Sequence, residues 1–137
     1  MSESVTLVDY FYVEAPDRPG EGARMLEQLR AAGVNLLAFT GFPRGRRAQI
    51  DFVPADAGRF RAAARKAKWK LVGPKKAFLV QGEDRVGAVA ELLGRLAGAG
   101  INVTAADAVC AGAGRYGMIL WVKPADVKRA AKTLGVG

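Results

Sequence analysis

The sequence contains an internal repeat that constrains the fold more than any other feature of the chain. Residues 17–36 (DRPGEGARMLEQLRAAGVNL) align without a gap on residues 84–103 (DRVGAVAELLGRLAGAGINV). The two segments are identical at nine of twenty positions, whereas chance gives roughly one or two identities. A further match, at an offset of 70, aligns residues 52–56 with residues 122–126. The chain is therefore expected to contain two copies of one structural unit.

Both copies show the same predicted order of strands and helices. In the first copy, hydrophobic periodicity predicts strands over 5–14, 34–42, 47–53 and 69–72, and helices over 19–32 and 55–68. In the second copy it predicts strands over 76–82, 101–109 and 115–122, a helix over 85–99 with Val86, Val89, Leu93 and Leu96 inward, and a helix over 124–134. No closing strand is predicted there, because only Gly-Val-Gly remains.

The order β-α-β-β-α-β predicts the fold class. It is typical of an α+β protein, and here it predicts two ferredoxin-like units in tandem, with antiparallel sheets and helices on one face. We expect the first domain to span residues 1–73 and the second residues 74–137.

Composition excludes several classes of function. The chain of 137 residues has no histidine and a single cysteine, Cys110, so the usual zinc and haem ligands and Ser-His or Cys-His catalysis are missing. We expect no metal, no cofactor and no catalytic residues, and we expect Cys110 to be a small buried side chain. No segment approaches the roughly 18 apolar residues of a membrane span, and the N-terminus lacks the pattern of a secretion signal. A cytoplasmic location is therefore expected.

The repeated D-R-x-G turn has a chemical interpretation. Asp17 is placed to cap the first helix by accepting from the amide of Gly20, and Pro19 suits the first helical turn. A helix N-terminus attracts a carboxylate, and an adjacent aspartate attracts an ammonium group. An α-amino acid carries both groups. The alternative is that the turn only starts a helix.

Asn35 and Asn102 occupy matching positions near the start of the second strand of each copy. An asparagine within a strand is disfavoured unless its amide makes a specific interaction, and this amide can serve either end of a zwitterion. A hydrogen bond to the incoming loop is the equally simple alternative.

The DRPG turn followed by AAGVNL, and the DRVG turn followed by GAGINV, resemble the ACT domain. The resemblance covers residues 7–72 and 76 to about 134. It implies a non-catalytic regulatory module of amino-acid metabolism, with two copies pairing side by side around small ligands. By position, it implies these ligand-binding residues: Asp17, Arg18, Pro19, Gly20 and Asn35, and in the second copy Asp84, Arg85, Val86, Gly87 and Asn102.

Pairing of the copies would let a turn and an asparagine act together. We expect Asp17 to act with Asn102, and Asp84 with Asn35, on an amino acid at the junction. The output would then be a changed assembly or a changed contact with an enzyme of amino-acid metabolism. Apolar residues on both faces of the strand at 5–14 further suggest a homodimer.

Charge gives an alternative function. Residues 42–76 contain 11 cationic and 2 acidic residues, so they hold the whole excess of the formal net charge of +8. The RNA-recognition fold has the same β-α-β-β-α-β order, so a basic RNA-binding or other nucleic-acid-binding protein is the alternative. We do not favour it, because its aromatic signature is incomplete.

Two further features of the sequence resemble those of enzymes, but neither predicts an enzymatic function. An acylphosphatase would need Arg18 and Asn35 to meet at one phosphate, and a shared fold alone says little about chemistry. The sequence GAGRYG at 112–117 matches a dinucleotide motif, but a strand follows it instead of a helix. We expect it to form a hairpin turn.

Overall fold

The computed structural model describes residues 3–136. The described chain forms strands and α-helices in alternation, and none of its helices has the length and apolar character needed to cross a bilayer. The elements in chain order are β1 (Ser4–Pro16), α1 (Glu21–Ala31), β2 (Leu36–Arg44), β3 (Arg47–Pro54), α2 (Ala57–Lys66), β4 (Val72–Glu83), α3 (Ala88–Gly98), β5 (Val103–Gly112), β6 (Arg115–Val122), a short 3-10 turn (Pro124–Asp126) and α4 (Val127–Leu134).

The chain divides into two compact units. The first unit consists of Asp9–Lys75, and the second combines the chain up to Val8 with the segment from Lys76 onward. Each unit therefore takes part of β1 and part of β4. The predicted α+β class, with antiparallel strands in ferredoxin-like units, is confirmed. The expected domain boundary between residues 73 and 74 stays a prediction.

In the first unit, β3 lies between β2 and β1 and pairs antiparallel with both. Phe52 of β3 stands opposite Phe11 on one side and Phe39 on the other. Helices α1 and α2 cover this face and complete the core, and a fully buried Leu or Phe contributes about 2–3 kcal/mol. The buried core consists of Phe11, Val13, Ala15, Met25, Leu29, Ile50, Phe52 and Phe60.

In the second unit, β6 lies between β5 and β4 and pairs antiparallel with both. The start of β1 lies on the other side of β4, and Val5 and Leu7 pack against the core. No strand follows α4 up to residue 136. The start of β1 therefore occupies the place of the closing strand that the second copy lacks. The core includes Phe78, Val80, Leu92, Leu96, Met118, Leu120, Val122, Ala130 and Leu134.

Two local predictions are wrong. Residues 69–71 form no strand, because Trp69 and Leu71 pack against the first core while β4 begins only at Val72. Val86 does not face inward; it is fully exposed and precedes α3. The helix begins at Ala88, so its buried positions are Ala88, Leu92 and Leu96.

The GAGRYG segment forms the predicted hairpin. Strand β5 ends at Gly112 and β6 begins at Arg115. Between them, Ala113 and Gly114 have φ values of 56° and 72°, as a tight turn of this kind requires. A strand follows the motif, so no helix N-terminus is present there to bind a pyrophosphate.

Glycine, and not aspartate, starts the first helix of each copy. Gly20 precedes α1 with φ of 89°, Gly87 precedes α3 with φ of 83°, and within residues 3–136 no side-chain hydrogen bond caps either helix. The predicted cap by Asp17 is therefore wrong. By contrast, Asp56 caps α2 by accepting from the amide of Arg59 at 3.0 Å. The repeated glycine is explained by its left-handed conformation, which costs other residues about 1–2 kcal/mol.

This assignment predicts opposite effects of one substitution at two positions of the same unit. We expect Gly87→Ala to lower the free energy of unfolding by about 1–2 kcal/mol, because alanine is strained at positive φ. Gly94→Ala is the control: Gly94 lies within α3 with open space around it, and alanine should stabilise the helix by about 0.5–1 kcal/mol. Urea unfolding measures both. Equal effects at the two positions would contradict the assignment.

Candidate functional site

A cavity of about 270 Å³ lies at the start of α3 in the second unit. We call it the α3 cavity. Its walls come from the repeated turn, the first turn of α3, the end of β5 and Tyr116 of β6. The lining residues are Asp84, Arg85, Gly87, Ala88, Val89, Ala90, Ala108, Val109, Cys110 and Tyr116. Three predicted site residues, Asp84, Arg85 and Gly87, are thus brought together.

Small side chains on β5 account for the open space. Ala108 stands opposite Met118, and Cys110 stands opposite Tyr116. Since Met118 and Tyr116 belong to the core beneath the helices, Ala108 and Cys110 lie on the same side of the sheet as α3. Both are exposed. Short side chains at this sheet edge leave the gap that forms the cavity.

Strand β2 of the first unit, which corresponds to β5, carries a different side chain on its helix side. At the offset of 67 that relates the repeats, Phe39 of β2 corresponds to Ala106 of β5. The Phe39 ring lies 5.6 Å from the Phe52 ring, measured between centroids. An aromatic side chain therefore covers the first sheet at this position, whereas the cavity positions Ala108 and Cys110 correspond to Gly41 and Pro43.

The start of α3 supplies positive electrostatic potential to the cavity. No side chain among the described residues caps this helix. The Ala88 amide donates to the Arg85 carbonyl at 3.2 Å, and the next amides, of Val89 and Ala90, remain available to a ligand. The helix dipole adds roughly half a positive charge at this end. Arg85 contributes a guanidinium group, one nitrogen of which lies 3.0 Å from Glu91 Oε2. The other donors of this guanidinium remain available for an anion.

Asp84 supplies the negative charge, and its carboxylate interacts with Cys110. The Asp84 amide donates to the carbonyl of Gly114 at 2.9 Å, which fixes the backbone of the turn. The hydrogen bond to the Asp84 carboxylate raises the pKa of the Cys110 thiol, and burial and the Asp84 charge raise it further. Cys110 is exposed, so the expectation of a buried cysteine is wrong. The reason is that Cys110 lies near the end of the edge strand β5, where it lines the open α3 cavity instead of packing into the core.

Tyr116 forms a fixed wall of the cavity. Its hydroxyl donates to Glu3 Oε2 at 3.2 Å, while Glu3 Oε1 accepts from Arg95 at 2.7 Å. Burial raises the pKa of Tyr116, and the nearby Glu3 charge adds to this shift. A Cβ atom at Gly82 would lie 2.7 Å from the Tyr116 ring, so glycine is needed there. Sequence reasoning missed both Tyr116 and Cys110 as site residues.

The other predicted site residues lie elsewhere. Asp17, Arg18, Pro19 and Gly20 form an exposed turn before α1, where Arg18 lies 3.5 Å from Glu21. Asn102 and Val86 are also exposed, and neither lines the α3 cavity.

Asn35 lies at the opposite end of α1 from this turn. It lines a separate cavity of about 400 Å³ in the first unit, together with Leu26, Leu29, Arg30, Gly33, Val34 and Leu36. Eleven helical residues separate the two ends, which corresponds to about 16 Å. Within one unit, Asn35 therefore cannot share a ligand with Asp17, nor a phosphate with Arg18 as an acylphosphatase would need. Asn35 and Asn102 precede their strands, so their predicted place inside a strand is wrong.

The first unit holds two aromatic residues of its strands in the core, while Tyr10 and Tyr12 of β1 are half-buried on the other face of the sheet. Arg59, Arg61, Arg65 and Lys66 are exposed on α2. However, Phe11 of β1 and Phe52 of β3 have no exposed surface. They are core residues, so they cannot stack on bases. Among the described residues, no group of three or more Cys, Asp or Glu side chains could hold a metal ion.

Comparisons with known proteins agree with this architecture at the level of fold. No protein-family model matches the chain, and no curated protein is similar to it in sequence. A protein from Bacteroides thetaiotaomicron of known structure is 13% identical, with a TM-score of 0.82 over 96% of this chain and 88% of that one.

Two neighbours of known structure are aspartokinase proteins. The aspartokinase alpha and beta subunits are 16% identical, with a TM-score of 0.66 over 98% of this chain and 95% of that one. The ligand-free regulatory subunit of aspartate kinase from Thermus thermophilus is 14% identical, with the same TM-score of 0.66 and the same coverages of 98% and 95%. The chain therefore has an ACT-like fold.

The contact between Asp84 and Cys110 predicts the reactivity of the thiol. We expect Asp84→Asn to speed the reaction of Cys110 with a maleimide near neutral pH, because removing the carboxylate charge lowers the pKa of the thiol and increases the thiolate fraction. Cys110 is the only cysteine, so labelling followed by mass spectrometry reports on it alone. Asp107→Asn is the control on the same strand. The same labelling rate in wild type and Asp84→Asn would show that the carboxylate does not control the thiol.

Proposed function

We propose that this protein is a non-catalytic regulatory protein that binds a small ligand, an α-amino acid, in the α3 cavity. The observation that carries the proposal is the composition of the cavity. Asp84 lies in it together with Arg85 and the uncapped first turn of α3. A negative and a positive group at one small site suit a zwitterion.

Each end of the ligand has a named partner. The carboxylate accepts hydrogen bonds from first-turn amides of α3, at Val89 and Ala90, and from the guanidinium of Arg85. This arrangement follows the general preference of helix N-termini for anions. The ammonium group donates to the Asp84 carboxylate. The volume of about 270 Å³ is below the roughly 300–1,000 Å³ of pockets for drug-sized molecules, so a small ligand is favoured.

A regulatory role is supported by the fold and by the groups in the cavity. The similar Thermus thermophilus protein is a regulatory subunit of aspartate kinase. An enzyme of amino-acid metabolism is therefore the partner we propose, in the cytoplasm. Ligand binding can act on such a partner only through different affinities for two states.

The remaining predicted residues belong to the same proposal. Asp17, Arg18, Pro19, Gly20, Asn35, Val86 and Asn102 are proposed ligand-binding residues of paired copies, on the basis of the repeat. A homodimer is also proposed. It is supported by Phe42 of β2, which lies opposite Gln49 on the sheet face away from the helices and has an exposed fraction of 43%, since a large exposed apolar group favours burial against a partner. Sedimentation equilibrium tests it: a monomer mass at micromolar concentration would oppose it.

Calorimetry with the common amino acids tests the ligand site. We expect the wild type to bind at least one of them, and Asp84→Asn to weaken that binding roughly 10–100-fold. A hydrogen bond between charged groups is worth about 1.5–3 kcal/mol, and each 1.4 kcal/mol is tenfold.

Asp126→Asn is the matched control, because Asp126 also precedes a helix of the second unit but does not line the cavity. Its affinity should equal that of the wild type. Asp17→Asn measures separately whether the first copy contributes. Absence of binding by all twenty amino acids, or unchanged affinity of Asp84→Asn, would reject the proposed site.

A further inference from the structure

We infer that the α3 cavity selects amino acids with uncharged aliphatic side chains, of the class of valine, leucine and isoleucine. The inference rests on the proposed function and identifies the class of ligand. It follows from what the cavity offers to the ligand's side chain once the amino and carboxylate groups are bound.

The charged groups of the cavity are used by the zwitterion. Asp84 and Arg85 are the charged residues among those that line it. In the proposed complex, Asp84 binds the ammonium group and Arg85 the carboxylate. No lining charge then remains to neutralise a charged side chain.

The polar lining groups are also engaged. The hydroxyl of Tyr116 donates to Glu3 at 3.2 Å, and the thiol of Cys110 interacts with the Asp84 carboxylate, which also lines the cavity. In the proposed complex a charged or strongly polar side chain therefore gains no hydrogen bond from these groups, whereas an aliphatic side chain needs none. Charged and strongly polar side chains are therefore disfavoured.

The rest of the lining is apolar. Val89 of α3 and Ala108 of β5 provide aliphatic surface, and the Tyr116 ring provides an aromatic face. Removing hydrocarbon from water is favourable by roughly 0.8 kcal/mol for each CH₂ group. A branched aliphatic side chain gains from these contacts and needs no polar partner.

Ala108 is the position that should control selectivity. It lines the cavity and lies on the helix side of the edge strand, opposite Met118. An aspartate there would place a carboxylate among the aliphatic walls, where a lysine side chain could neutralise it. Ala106 lies on the same side of β5, two residues away, and does not line the cavity.

The experiment measures affinities of the full chain by calorimetry for valine, leucine, isoleucine, lysine, aspartate and glutamate. We expect the best aliphatic ligand to bind wild type at least tenfold more tightly than each charged one. Ala108→Asp should reverse the order, so that lysine binds more tightly than valine. Ala106→Asp should keep the wild-type order.

The outcomes separate the two proposals. If the wild type binds amino acids but lysine or glutamate binds as tightly as valine, the selectivity inference is overturned and the proposed function stands. If Ala106→Asp changes the order while Ala108→Asp does not, the assigned wall is wrong and the inference is overturned. If no amino acid binds the wild type, the proposed function and the inference both fail. The affinities of the wild type for the six amino acids test the selectivity inference even if Ala108→Asp does not fold.

Discussion

The uncapped start of α3 is the constraint on which the candidate site depends. Gly87 takes a left-handed conformation, which lets the chain enter the helix without a side chain bonded to the first amides. Those amides are therefore available to a ligand, and the repeated turn places Asp84 and Arg85 beside them. Helix α2 shows the alternative, because Asp56 occupies its first turn. A site for an anionic group can exist at the first kind of helix start and is blocked at the second.

The cavity depends equally on the small size of the side chains on the helix side of β5. Alanine and cysteine on the helix side of β5 leave space that larger residues would fill, and the Tyr116 ring, held by Glu3, closes one side of it. The first copy has the same turn, but at an offset of 67 its second strand carries Gly41 and Pro43 where the cavity has Ala108 and Cys110, and Phe39 where β5 has Ala106. The two copies of one unit thus share a backbone arrangement and differ in the side chains that fill it. Duplication preserved the fold while the two surfaces diverged.

Much of the fold was predictable from the sequence because the repeat and the hydrophobic periodicity agree. The alternation of strands and helices and the hairpin at 112–115 follow from local patterns. The glycine helix starts do not, since the motif predicted a cap by Asp17. The start of β1 completing the second sheet was not predictable, since it depends on pairing between residues far apart in the chain. The exposure of Val86 and Cys110 depends on where α3 begins and on which strand is at the edge. Asp84, Arg85 and Gly87 were found from the repeated motif, whereas Tyr116 and Ala108 enter the site only through tertiary packing.

Amide chemical shifts during titration test the central claim, which is that the first turn of α3 binds the ligand. The measurement uses the isotope-labelled full chain and a mixture of the twenty common amino acids. The amides of Val89 and Ala90 should shift saturably, and the amide of Arg59, already bonded to Asp56, should not. Saturable shifts confined to other parts of the chain, with Val89 and Ala90 unchanged, would contradict the account.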